Sequence, residues 1–312
     1  MEVVSGKSSS APAVSLENVS KSYETKRAVS GLSMTVPQGS IFGLLGPNGA
    51  GKTTSIRMML NIYAPDSGTI RVLGRPWSED LKSRIGYLPE ERGLYTRMKV
   101  GDVLVFVAGI KGVPAPEAAK RARSWLARLE LGDTWEKKLQ ELSKGMQQKV
   151  QFIATVLHEP ELIILDEPFS GLDPINTNVL KDIMVELHGR GRTIIFSTHI
   201  MEQVERLCEG ICLINEGRMI LGGNLHEIKG RYGRNTVAMA FEGDGAFLQS
   251  HPLVKRTSVY NAYVEVTLAD GADPQALLRD ALGRVRISRF EIQEPSLHDI
   301  FIERVGATKE AA

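Results

Sequence analysis

Cysteine is scarce in this sequence: two residues, Cys208 and Cys212, in a chain of 312. They stand at C-x3-C with no second pair, too few ligands for a structural zinc site. They read as two free thiols of a reducing compartment. Long apolar runs are missing too. A membrane-spanning helix needs roughly 20 apolar residues, and the longest candidate, "VLVFVAGI" (103–110), is under half of that. The opening "MEVVSGKSSSAPAVS" lacks the apolar core of a signal peptide and reads as a disordered lead-in over 1–13. Charge of one sign is lacking as well. The net charge is +1, with no basic excess to mark a nucleic-acid partner. What remains is ordinary for a globular protein, 42% hydrophobic and 24% charged, and long enough for two domains.

From residue 14 short apolar strands alternate with turns: "AVSLENVS", "GLSMTVPQGS", "SIFGLLG", "GTIRVLG" and "RIGYLP". "GKTTSIRMMLNIY" has helical spacing, with Ile56, Met59 and Leu60 on one face. Residues 91–160 change character, since "MKVGDVLVFVAGIKG" and "PEAAKRARSWLARLEL" are amphipathic helices of an insertion. Strand and helix then alternate again through "ELIILDEP", "INTNVLKDIMVELHGRG", "RTIIFSTH" and "IMEQVERLCEG". This order predicts a doubly wound α/β sheet. After about residue 230, strands and helices in the order β-α-β-β-α-β predict a small ferredoxin-like α+β domain over 231–312.

"GPNGAGKTT" (46–54) matches G-x-x-x-x-G-K-[ST] between a strand and a helix. A triphosphate is a concentrated anion. Gly46, Pro47, Asn48, Gly49, Ala50 and Gly51 form a loop able to turn backbone N–H groups inward. The following helix aims its positive end at the same point. Lys52 reaches the β and γ oxygens, Thr53 is set for Mg2+, and Thr54 continues the turn. Further on, "LIILDEP" ends a strand in two acids. Asp166 suits a Mg2+ contact, direct or through water, and Glu167 suits polarising an attacking water.

Three more stretches narrow the choice. "ELSKGMQQK" (141–149) resembles the signature of ABC-type ATPases, "SGLDP" (170–174) resembles the loop that follows their acid pair, and "STHI" (197–200) resembles their switch histidine. The order and spacing hold over residues 14–225. The chain is therefore similar to ATP-binding subunits of ABC transporters. "GYLPEERGLY" and "EPSLHDIFIERV" further resemble those that serve sodium-extruding and drug-efflux exporters with a separate permease. The resemblance implies a P-loop ABC-type ATPase domain over 14–230, with the helical subdomain near 91–160. It makes Tyr23 the ring that stacks on adenine and His199 the γ-phosphate contact, alongside catalytic Glu167. Ser143, Lys144, Gly145 and Met146 would meet the γ-phosphate of ATP held by a second subunit, with Asp173 in the stretch crossing that interface. A single set of motifs implies a homodimer or a heterodimer with a close paralogue. Such a dimer would close on ATP and Mg2+ and drive a membrane permease at the cytoplasmic face, the permease docking beside loop 90–100 and Tyr95. A soluble ABC-type ATPase without a permease, or a module that binds ATP without hydrolysing it, are the competing readings.

The sequence departs from the family pattern at Lys144 and Met146, where glycine and glutamine are usual, and at Glu90, where glutamine is usual. Glu90 either substitutes for an amide as a metal or water contact, or joins Asp166 and Glu167 in a repelling cluster of three carboxylates. In the latter case it is expected to pair with Lys144 across the dimer. Arg92 is a local alternative partner for Glu90 or Glu91.

Overall fold

The structure is a computed structural model that describes residues 11–24, 26–91, 93–231, 236–269, 271–293 and 296–310. Residues 1–10 of the expected lead-in, and Arg92, lie outside the described residues. The chain forms two compact units, one up to Gly223 and one from Asn224.

The first unit holds two sheets. β1 (Val14–Tyr23), β2 (Lys26–Val36) and β4 (Ser67–Val72) make an antiparallel sheet in the order β2-β1-β4. Val14, Leu16 and Val19 are buried while Glu17 and Asn18 are exposed, so one face of β1 is covered. The second sheet has six strands in the order β5 (Ile85–Leu88), β6 (Leu162–Asp166), β7 (Thr193–Thr198), β3 (Ile41–Leu45), β8 (Gly210–Asn215) and β9 (Arg218–Asn224). The first five pair in parallel. β3, β6 and β7 are buried along their whole length, which is why "IFGLL" and "LIILD" read as unbroken apolar runs. Leu16, Leu32, Met59, Leu81, Ile164 and Ile195 belong to one buried cluster, so the two sheets share a core.

The alternation of strands and helices in the sequence names no particular sheet for β1, β2 and β4. They form their own antiparallel sheet: β1 and β2, neighbours in the chain, pair from Tyr23 opposite Lys26 to Val14 opposite Val36, and β4 pairs along the other edge of β1. β8 and β9 had no counterpart in the strand reading.

α1 (Lys52–Met59) follows β3, and α5 (Pro174–Gly189) and α6 (Met201–Leu207) flank β7 in sequence. Between β5 and β6 run α2 (Val100–Ile110), α3 (Ala115–Arg128) and α4 (Lys144–Val156), the helical insertion. Pro116 sits in the first turn of α3, where its missing N–H costs nothing.

The second unit contains α7 (Leu225–Arg231), β10 (Thr236–Glu242), β11 (Val254–Val259), β12 (Val264–Leu268), α8 (Pro274–Leu282), β13 (Arg286–Gln293) and α9 (Leu297–Glu310). Its sheet runs β11-β12-β10-β13, all antiparallel, the ferredoxin-like strand order. The first helix of the expected β-α-β-β-α-β order is only a 3-10 turn, Ala246–Ser250, which is too short for an α-helix. Asp273 caps α8 by accepting from the Gln275 N–H at 2.9 Å, with Pro274 at the first position.

Candidate nucleotide site

The ends of β3, β6 and β7 lie side by side, with Leu45 paired to Thr198 and Asp166 to Ser197. Ligands of parallel sheets collect at such carboxyl ends. The loop leaving β3 depends on glycine at two points. Gly46 has φ 153°, and a Cβ there would stand 2.1 Å from the Ile214 carbonyl oxygen. Gly51 has φ 107°, with the Ala28 carbonyl oxygen 2.6 Å from the place of a Cβ. The loop therefore packs backbone on backbone and leads directly into α1.

Lys52, at the start of α1, is buried and folds back over this loop. Its Nζ donates to Gly46 O at 2.8 Å and Pro47 O at 3.2 Å, and lies 3.5 Å from Glu167 Oε1. Glu167 in turn has His199 Nδ1 at 3.1 and 3.2 Å from its two oxygens. Glu167 sits at φ 48°, a left-handed conformation that costs about 1–2 kcal/mol for a residue with a side chain. Its N–H donates to Ser197 Oγ at 2.9 Å, and the same hydroxyl donates to Asp166 Oδ1 at 2.5 Å. Ser197 thus locks both acids from the neighbouring strand. It was missed from sequence, although it stands in the quoted "STHI".

Asp166 is fully buried, and Oδ2 has no hydrogen-bond partner of good geometry. Burial raises its pKa above the ordinary 3.8; Ser197 and Thr53 pull the other way, the Glu167 charge adds to the rise, and Lys52 opposes it. Burial, more than like-charge repulsion, is the leading cause. An unpartnered buried carboxylate oxygen beside the Thr53 hydroxyl fits a divalent cation, so the residues present suit Mg2+.

A cavity of about 530 Å³ opens here, lined by Tyr23, Lys26, Ala28, Asn48, Gly49, Gly51, Lys52, Thr53, Thr54, Glu90 and Glu167. Tyr23 is 39% exposed and meets Tyr63 edge-on at 5.7 Å, leaving a ring available at the cavity wall. Lys26 and Ala28 are further lining residues that no motif marked. Glu90 and Glu167 share the cavity, whereas Asp166 is not among its lining residues. Among the described residues no three acids, histidines or cysteines gather to hold a metal. Glu90 rides an exposed loop, whereas Asp166 is closed inside the sheet.

The signature residues stand elsewhere. Ser143 caps α4 by accepting from the Met146 N–H at 3.3 Å. Ser143, Lys144, Gly145 and Met146 do not line this cavity. Asp173 caps α5, and the Asn176 N–H it accepts holds its carboxyl below the usual range. Cys208 and Cys212 are free and buried, burial pushing the Cys212 thiol up to about 12.

A buried lysine on a glycine loop, facing an acid pair locked by the next strand, fits a P-loop nucleotide-binding domain. The ABC transporter family profile matches residues 29–170, and the profile of the DrrA1-3-like ATP-binding protein C-terminal domain matches residues 223–305. The chain is 46% identical over 297 residues to the ABC transporter ATP-binding protein YhaQ of Bacillus subtilis (strain 168), covering 95% of this chain and 100% of that one. The chain belongs to the ATP-binding proteins of ABC transporters. It is also 34% identical over 303 residues to the Nod factor export ATP-binding protein I of Rhizobium sp. (strain N33), covering 96% of this chain and 98% of that one. A solved structure of an ATP-binding subunit of an ABC transporter superposes with a TM-score of 0.66 at 30% identity, over 71% of this chain and 93% of that one.

Proposed function

We propose that this chain is the ATP-hydrolysing subunit of an exporter. Two copies, or this chain and a close paralogue, close on two ATP and drive a separate membrane permease from the cytoplasmic face. The observation that carries this is Glu167, set between Lys52 and His199 beside the phosphate loop. Export is supported by likeness to a protein named for Nod factor export.

In this reading the loop 46–51, Lys52, Thr53 and Thr54 bind the phosphates, and Tyr23 stacks on adenine. Lys52 exchanges its carbonyl and Glu167 contacts for phosphate oxygens, which releases Glu167 to orient water with His199. Mg2+ would be held by Thr53 and Asp166, with Glu90 at its water shell, and would neutralise phosphate charge. Ser143 to Met146 do not line the cavity of their own chain, and in this reading they complete the site of a second chain. The division into an ATPase domain over 14–230, a helical subdomain near 91–160 and an accessory domain over 231–312 is part of the same proposal. No helix among the described residues is long and apolar enough to cross a membrane, so attachment falls to the permease.

Glu167→Gln tests the core of this. Hydrolysis is expected to fall about 10²–10⁴-fold while ATP binding persists and a dimer accumulates with ATP. A variant that hydrolyses like the wild type would remove Glu167 from the mechanism; one that traps no ATP dimer would favour a module without a hydrolytic cycle.

A further inference from the structure

β5 is an edge strand of the six-stranded sheet, and an open edge needs cover. Here the cover is a row of side chains. Ile85 O accepts from Lys111 Nζ at 3.1 Å and from His158 Nε2 at 3.1 Å. Tyr87 O accepts from Thr155 Oγ1 at 3.2 Å. Pro89 O and Glu91 O accept from the single Nε2 of Gln151, at 3.2 and 3.3 Å. The carbonyls alternate at 85, 87, 89 and 91, the period of an extended chain. Their partners at 151, 155 and 158 are spaced four and three apart, one face of α4 and its continuation. Helix and strand run as two sides of a ladder.

The last rung differs from the others. β5 ends at Leu88, so Gln151 does not serve the strand but the loop beyond it. Its amide straddles Glu90, holding the carbonyl on either side. Gln151 is 4% exposed, which makes the bond costly to lose. One turn earlier on the same face, Gln148 Nε2 donates to Pro168 O at 3.2 Å, next to Glu167. Two buried amides of the helix that opens at Ser143 therefore hold the chain beside each cavity acid.

We infer that Gln151 is a positioning residue for Glu90, fixing the direction in which that carboxylate enters the cavity. A movement of α4 then reaches Glu90 through this amide, although Gln151 itself does not line the cavity. The inference rests on the reading of the cavity as an ATPase site, and its test has an arm that does not.

Gln151→Met keeps the buried volume and removes the donor. Amide hydrogen exchange over 89–94 is expected to quicken at least about fivefold, with the rest of β5 protected as before. The turnover number is expected to fall about tenfold with the KM for ATP within about twofold of wild type. In a Glu90→Ala background the same substitution should cost less than about twofold. Equal losses in both backgrounds, or unchanged exchange over 89–94, would overturn the inference. If the wild-type chain hydrolyses no ATP, the functional reading fails, and the exchange arm still decides the clamp. Should Gln151→Met not fold, Gln151→Asn, which keeps a donor but shortens its reach, carries the same readouts.

Discussion

Two helices begin at nucleotide-type motifs, and they begin in different ways. α1 starts after Gly51, with no side-chain cap, and its first residue, Lys52, is buried against the loop and Glu167. α4 starts after Ser143, which caps its own first turn, and the next residue, Lys144, is exposed. The first helix end is finished by its own fold: glycine, lysine and acid converge on one cavity. The second is satisfied locally, and its first residues do not line that cavity. A cation at such a helix start is disfavoured by about 0.3–1 kcal/mol, a cost that an anion arriving from a second chain would offset. Among the described residues, neither Lys144 nor Glu90 makes an ion pair, and Arg92, the local alternative partner of Glu90, lies outside them.

The largest expected effect breaks the α1 side. Lys52→Ala removes a charged donor at a buried anion site and is expected to weaken ATP binding about 10–100-fold, measured by nucleotide titration. Hydrolysis should drop further, about 10²–10³-fold. An affinity within twofold of wild type would dissociate Lys52 from the phosphates.

A smaller effect sharpens the same side. Asp166 has its folded pKa raised, chiefly by burial, so its ionised form opposes folding at neutral pH. The opposition lessens as pH falls through the folded pKa toward the unfolded value, where the folded chain takes up the proton first. Asp166→Asn is therefore expected to raise the melting temperature of the nucleotide-free chain at pH 7–8, with the gain fading toward pH 4. Magnesium-dependent hydrolysis should be lost in the same variant. A melting temperature that falls equally at every pH would contradict this account.

The smallest effect probes the α4 side. Glu90→Gln, Lys144→Gly and their combination form a cycle on ATP-driven dimerisation, with a coupling of about 0.5–3 kcal/mol expected for residues that meet across an interface. Additive effects would mean that the two charges never meet.

The two helix starts also differ in how far they could be read from the sequence. "GPNGAGKTT" puts glycines, lysine and threonine within nine neighbouring positions, and the cavity uses Asn48, Gly49, Gly51, Lys52, Thr53 and Thr54 from it. The acid pair was legible because an apolar run ends on it, and the structure gives that run as β6. Ser197 was not legible as a lock, since it acts on Asp166 and Glu167 from 31 and 30 residues away. Gln151 was hidden further, reaching Pro89 across 62 residues. Glutamines inside a helix read as ordinary helix formers, and nothing in their spacing names a partner.

By itself the sequence determined the phosphate-loop and acid-pair motifs and most of the order of strands and helices, β8 and β9 excepted, because these rest on neighbouring residues and short periodicities. Only the tertiary structure decided which sheet each strand joined. It also set Asp166 in a closed interior that raises its pKa, and tied α4 to the loop of Glu90. Those outcomes depend on which distant carbonyls and hydroxyls face one another once the core has closed, a choice made by shared burial rather than by position along the chain.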